Sequence, residues 1–255
     1  MDNKEIKEFL DEKYDQYNCK KFIQSDPIQI PKQFEDPKDI EIAGFLSATI
    51  AWGQRRTIIT NMNRLLNKMN NTPYEFITEA DDDDLIEFSD FKHRTFNGED
   101  CIFFLKSLQN IYKNHGGLGS LFQNSYKKKK DIPAVLKEFR NIFFEIPHPA
   151  RTQKHVADIS KKSSAKRLNM FLRWMVRRDS KEIDFGIWDK IATEDLFIPL
   201  DIHSGNVARK LGLLKRKQND WHAVEELTGK LRKFDPHDPV KYDFALFGLG
   251  VFENF

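Results

Sequence analysis

Apolar residues recur every three or four positions along most of this chain, and that period predicts helices almost throughout. An amphipathic opening runs from about Lys4 to Tyr17, followed by a connection punctuated by Pro27, Pro31 and Pro37. The stretch from Asp39 to Trp52 is apolar on most sides (Ile40, Ile42, Ala43, Phe45, Leu46, Ile50, Ala51), which suits a central, buried helix ending at Gly53. Ile58, Met62, Leu65, Leu66 and Met69 mark the next helix. Thr72-Pro73-Tyr74-Glu75 predicts another start, with a capping Thr, Pro in the first turn and Glu three residues after the Thr.

The acidic run Asp81 to Asp84 reads as solvated helix or loop, and the basic run Lys127 to Lys130 as a solvated loop rather than a DNA contact. Gly116-Gly117-Leu118-Gly119 breaks the middle of the chain. Near the end, Trp221, Val224, Leu227, Leu231 and Phe234 form one stripe, and Asp238-Pro239 starts a helix over Val240 to Leu249. No period-2 alternation predicts a sheet, and no internal repeat is visible.

Two stretches carry candidate chemistry. In Ser163 to Arg178, Leu168, Phe171, Leu172 and Met175 fall on one helical face. Lys162, Lys166, Arg173 and Arg177 fall on the opposite one, beside Met170. That basic stripe is either an ordinary solvated face or a track for phosphates. Neighbouring cations would also lower the pKa of a lysine and favour the neutral amine. The second stretch is Leu196-Phe197-Ile198-Pro199-Leu200-Asp201-Ile202-His203, followed by a helix carrying Arg209. Asp201 stands at the N-cap position, where its carboxylate accepts from backbone N–H groups. It is a cap only, or a cap that also takes part in chemistry.

The 255 residues allow one large domain or two small lobes. Among them are 22 Phe and 4 Trp, which predict an aromatic core. The balance of 41 basic and 39 acidic residues leaves a net charge of +2, so a nucleic-acid footprint must come from local clustering. Cys19 and Cys101 are too few for a four-thiolate iron–sulfur cluster, and their separation suits a reduced, cytoplasmic protein. No apolar run is long enough to span a bilayer, and the charged start is not a signal peptide. The seven His lack ligand spacing, so no metal and no cofactor is expected.

Pro199-x-Asp201-x-His203, with Lys166 35 positions before the aspartate, resembles the helix-hairpin-helix DNA glycosylases. The long gap is most similar to the archaeal oxoguanine branch. The segments Lys166 to Arg177, Ile198-Pro199-Leu200-Asp201 and Asp238 to Gly248 resemble more closely still a bacterial family known only as domain of unknown function 2400. Phe45-Leu46-Ser47-Ala48-Thr49, followed by Ile50-Ala51-Trp52-Gly53-Gln54-Arg55-Arg56, is similar to the early glycosylase helix that ends at the DNA. The stretch Asp158 to Ala165, where the superfamily carries its Gly-containing hairpin, has no glycine here.

The resemblance implies an all-α, two-lobed glycosylase-like fold with a cleft between its lobes. One lobe would cover about 40–150, and the other 1–39 plus 151–255, within a single unit of 1–255. It implies a likeness to base-excision enzymes with AP-lyase activity and, through the oxoguanine branch, an oxidised purine as substrate. Lys166 would attack the sugar and Asp201 would stabilise the developing positive charge. Gln54 and Arg55 are candidates for the gap left by a flipped base. Trp52 either stacks on a base or is mostly buried. Asp243 and Phe247, one turn apart, line a base pocket, or are a surface acid and a core residue. His203 binds phosphate or simply occupies the first helical turn. Arg209, with Lys162, Arg173 and Arg177, completes the DNA-binding candidates. The partner would be damaged or abasic duplex DNA, bound by a monomer located at the nucleoid. Two alternatives stand beside the enzyme: a catalytically silent DNA-binding module and a helical protein-interaction scaffold.

Overall fold

A computed structural model describes residues 1–24 and 26–255, and its regular elements are all helices. In chain order they are α1 (Asn3–Tyr17), α2 (Lys20–Ile23), α3 (Pro37–Thr49), α4 (Arg55–Lys68), α5 (Pro73–Glu79), α6 (Asp82–Ile86) and α7 (Gly98–Asn114). There follow α8 (Leu118–Lys129), α9 (Ile132–Phe143), α10 (Lys166–Val176), α11 (Ile202–Lys210), α12 (Trp221–Phe234) and α13 (Tyr242–Phe252). Among the described residues the only extended pairings are two isolated bridges, His93 with Phe96 and Ser163 with Asp220. The chain divides into two compact units: the first joins residues 1–24 to 158–255, and the second is 25–157.

The second unit, α3 to α9, is built on phenylalanine. Phe45 from α3 meets Phe104 of α7 at 6.0 Å and Phe139 and Phe143 of α9 at 5.5 Å each. Phe104 and Phe143 approach to 4.7 Å, edge to face. All four rings are essentially without solvent contact. Such edge-on pairs suit the ring quadrupole and add to plain area burial.

Local starts and stops mostly follow side-chain capping. Asp2 and Glu5 close a capping box on α1, and Asp81 and Asp84 do the same on α6. Two expectations are corrected. Thr72 does not cap α5: its hydroxyl donates back to the Met69 carbonyl, while Asp39 of α3 accepts the Tyr74 N–H at 2.7 Å. A tertiary neighbour has displaced the local cap. Lys127 to Lys129 are not loop but the last turn of α8, where positive charge complements the carbonyl end of the helix dipole.

In the first unit α13 is the central helix, apolar and packed on both α1 and α11. At Gly248 the α1 helix comes so close that an added Cβ would lie 2.2 Å from the Tyr17 ring. Only glycine allows that approach.

Candidate functional site

The segment that feeds α10 is bent without glycine. Asp158 caps a short 3-10 turn, and the chain then enters the left-handed region at Lys162 (φ 63°) and again at Ala165 (φ 48°). A non-glycine residue pays roughly 1–2 kcal/mol there, so surrounding structure must hold it. The Trp221 N–H donates to the Lys162 carbonyl at 3.0 Å, and Ala165 is buried. This geometry places Lys166 at the first position of α10, half-buried. Its amine makes no hydrogen bond or ion pair with any described residue.

Asp201 starts α11 as expected. Its Oδ1 accepts from the Ser204 backbone at 2.9 Å and the Ser204 hydroxyl at 3.1 Å, and Ser204 Oγ accepts from the Asp201 N–H at 3.0 Å. The box consumes one carboxylate oxygen; Oδ2 has no donor among the described residues. The loop behind it is pinned as well: Asn219 donates to the Asp201 carbonyl at 3.0 Å, and Arg209 donates to Asn219 at 2.6 Å and to the Arg216 carbonyl at 2.8 Å. Arg209 is thus a brace for the Asp201 turn. Gly205 explains itself here, since an added Cβ would sit 2.8 Å from Asn219 Oδ1. Sequence reasoning missed Asn219, which carries no motif.

The basic stripe expected on α10 is corrected. Residues Leu168 to Val176 are all buried, so α10 has no long solvated face. Arg173 and Arg177 are interior cations, 3% and 0% exposed. Arg173 pairs with Asp184 at 3.2 Å and with Asp243; Arg177 pairs with Asp179, Asp238 and Asp184 at 2.8, 2.9 and 3.1 Å. Their helical period matched an exposed stripe because a buried ion network and a wet face have the same spacing. Arg177 is held charged by these acids. Burial raises the Asp179 carboxyl, but Arg177, Asn18 and Tyr14 outweigh it and bring it down to about 2. Lys162 is exposed, as expected of a solvated lysine.

Asp243, near the start of α13, is buried rather than a surface acid. Burial pushes its carboxyl up; Arg173 draws it back, Asp201 pushes it up, Lys166 draws it back, and Asp184 pushes it up, leaving it at about 7. The charges of Lys166 and Asp201 are thus both felt at Asp243. Phe247, one turn on, is half-buried and 6.1 Å from Phe22. His203 is exposed at the start of α11, its backbone against Gly250 of α13.

The remaining candidates belong to the second unit. Trp52 follows the end of α3 and is half-buried, its ring 6.0 Å from His155 and 5.0 Å from His93. His155 is anchored on buried Asp100 at 3.1 Å. Asn61 donates to His93 Nδ1 at 2.9 Å, so Nε2 carries the hydrogen and donates to the Trp52 carbonyl at 3.0 Å. Burial holds His93 below the usual histidine range. Gln54 is exposed and Arg55 half-buried at the start of α4. Arg94, which sequence reasoning missed, is exposed, left-handed at φ 54°, and laid against Gly53. Its only signal was a pair of cations, Lys92 and Arg94, in a short loop.

Among the described residues no cluster of His, Cys, Asp and Glu could hold a metal ion, and no helix is long and apolar enough to cross a membrane. Cys19 and Cys101 are both free thiols. A family model described as a protein of unknown function (DUF2400) matches residues 26–252. No curated protein and no solved structure matches the chain.

Proposed function

The chain belongs to the DUF2400 family, and we propose that it is a DNA base-excision glycosylase with lyase activity, on a helix-hairpin-helix glycosylase-like fold. One observation supports this above all: an amine without a partner, Lys166, and a carboxylate oxygen without a donor, Asp201 Oδ2, both act on the same buried acid. A structural ion pair would have closed on itself; these groups are left open for a substrate.

In this reading the target nucleotide leaves the stack, because its sugar is out of reach inside a duplex. The neutral amine of Lys166 attacks C1′ while the glycosidic bond breaks and the base leaves with the electron pair. Asp201 balances the positive charge that develops on the sugar. The amine-bound sugar opens to a protonated Schiff base, and elimination then cleaves the strand on the 3′ side. Asp243 and Phe247 face the base, His203 and Lys162 the phosphates. In the second unit, Trp52, Gln54, Arg55 and Arg94 supply an aromatic face and cations of the kind that suit nucleic acid. Arg173, Arg177 and Arg209 are not DNA contacts in this proposal, because the protein's own acids and carbonyls occupy them.

Borohydride trapping tests the reading. Wild-type protein is mixed with oxidised, deaminated and abasic duplexes and reduced, and a covalent complex on at least one of them is expected. Lys166→Gln should abolish it while leaving the fold nearly intact, since a half-buried lysine that makes no hydrogen bond or ion pair with any described residue contributes little to folding. If no duplex is trapped, the enzyme reading fails. DNA binding that weakens steeply with salt would then make the protein a silent binding module, and no DNA binding would make it a protein-interaction scaffold.

A further inference from the structure

Three short segments of the 25–157 unit meet around Trp52, and all three are basic. Residues 52–56, 92–96 and 151–155 each hold two Lys or Arg and no Asp or Glu, in a chain whose 41 basic residues are balanced by 39 acidic ones. Direct contacts join them. His93 donates to the Trp52 carbonyl at 3.0 Å, the His155 ring stacks 6.0 Å from the Trp52 ring, and Arg151 donates to the Thr95 carbonyl at 3.1 Å. Beneath them Asp100, which has no solvent contact, accepts from Arg151 at 2.7 Å, the Thr152 hydroxyl at 2.8 Å and His155 at 3.1 Å. A buried acid with that many donors fixes the 151–155 turn, and through His155 it fixes the floor under the indole.

Trp52 is half-buried, and on the same three segments Arg56, Lys92, Arg94 and Lys154 are exposed. Arg151 spends its fork on Asp100, Asn97 and the Thr95 carbonyl, with Glu99 3.7 Å away, so it holds the segments together. Arg94 is left-handed at φ 54° and lies against Gly53, where an added Cβ would meet its Nη1 at 3.0 Å. Gly53, at φ 100°, thus supplies both the turn and the room for that guanidinium. The helix α4 starts here with no acid in its first turn, so Arg55 and Arg56 put like charge on the positive end of its dipole. An anion at that end relieves the repulsion.

We propose that Trp52 and these cations form a binding site for an unpaired stretch of DNA, with one base stacked on the indole and the flanking phosphates on Arg56, Arg94 and Lys154. This rests on the nucleic-acid reading of Trp52, Gln54, Arg55 and Arg94, and not on Lys166 or Asp201. Charge alone would suit any polyanion, because phosphate contacts are indifferent to what the phosphates carry. The ring is what selects. An indole stacks on a base that has a face to give, and in a duplex both faces are covered by neighbouring bases. A site for phosphates alone has no use for a half-buried tryptophan held between two histidines. Every base has a π-face, so the site is indifferent to sequence. Binding makes and breaks no covalent bond.

The test titrates full-length protein with a short lesion-free thymidine oligonucleotide, the same strand in duplex, the matching uridine oligonucleotide and inorganic polyphosphate, at several salt concentrations. The thymidine strand should bind about tenfold or more tighter than the duplex or polyphosphate, the scale of one base stacked on an aromatic ring. It should also quench tryptophan emission. Trp174, Trp188 and Trp221 are buried, at 0%, 1% and 6% exposure, so Trp52→Phe should remove most of the quenching. Trp52→Ala should weaken the thymidine strand about tenfold and leave the salt slope alone. Arg94→Gln and Lys154→Gln should each lower that slope by about 0.7 and leave the quenching. Equal binding of single strand and duplex, or of polyphosphate, overturns the proposal, as does full affinity in folded Trp52→Ala. Tighter binding of the uridine strand overturns DNA as the partner. Should Trp52→Ala not fold, Trp52→Phe decides: lost quenching supports the proposal and retained quenching overturns it. A lesion-free strand offers nothing to trap, so this outcome is separate from the borohydride experiment, whose failure removes the nucleophile and leaves this site standing.

Discussion

The two units of this protein are stabilised by different chemistry. Residues 25–157 hold together through phenylalanine rings from α3, α7 and α9, packed edge to face with no charge among them. The unit of 1–24 and 158–255 buries Trp174, Trp188 and Tyr242, and also two guanidiniums with the carboxylates of Asp184 and Asp243, while Asp179 and Asp238 meet them half-buried. Burying ions costs several kcal/mol each before their attraction returns it, so a charged interior is a poor way to gain stability alone. The 25–157 unit buries charge too, at Asp100 with Arg151 and His155, but among the described residues only the other unit buries guanidiniums, and one of them pairs with Asp243.

The sharpest way to break this comparison is to remove one pillar from each unit. Arg177→Met removes the cation shared by buried Asp184 and half-buried Asp179 and Asp238 and should cost about 3–5 kcal/mol. Phe104→Ala leaves a cavity and should cost about the same. The two should differ in their response to acid. Lowering the pH neutralises the stranded acids and recovers part of the Arg177→Met loss, whereas the Phe104→Ala loss stays. Urea denaturation at neutral and mildly acidic pH measures both, and an identical pH response would dissolve the distinction.

A smaller effect sharpens the site itself. Asp201→Asn keeps the cap, because Asn caps about as well as Asp. It should nonetheless lose about 10²–10³-fold in excision rate, the scale of removing one preorganised electrostatic group. Full activity in the stable variant would leave Asp201 as a cap only.

Next comes stability against pH, where two acids of one network have opposite signs. Asp179, held at about 2, binds its proton less readily folded than unfolded. Its contribution is present above the ordinary aspartate range and is lost as the pH falls toward 2. Asp243, at about 7, binds its proton more readily when folded. It therefore destabilises progressively as the pH rises from about 4 to about 7, by at most about 1.4 kcal/mol per unit. Asp243→Asn should flatten that decline between pH 4 and 7 and leave the acid limb alone; denaturation midpoints across the range would register it.

The smallest expected effect concerns the surface. Lys162→Ala should reduce the salt slope of DNA binding by about one unit. An unchanged slope would return Lys162 to plain solvation.

Much of this was legible in the residues. The 3.6 period located α4, α10, α12 and α13, because a helix with one apolar face writes its spacing into the chain. Asp201 was legible as a cap because capping is local, settled within three residues by Asp201 and Ser204. Where a cap came from elsewhere, as Asp39 does for Tyr74, the local signal at Thr72 misled. The period of Arg173 and Arg177 placed them on one side of α10 and was correct, yet it could not say what faced that side. Asp184, Asp238 and Asp243 arrive there from other parts of the chain, and their charge turned an expected wet stripe into the interior of a unit. Sequence by itself thus determined the helices, most of their ends and the candidate pair Lys166 and Asp201. Tertiary structure alone decided which cations are buried, which carboxylate holds its proton near neutral pH and which polar atoms stay open, because burial and charge pairing depend on partners distant in sequence.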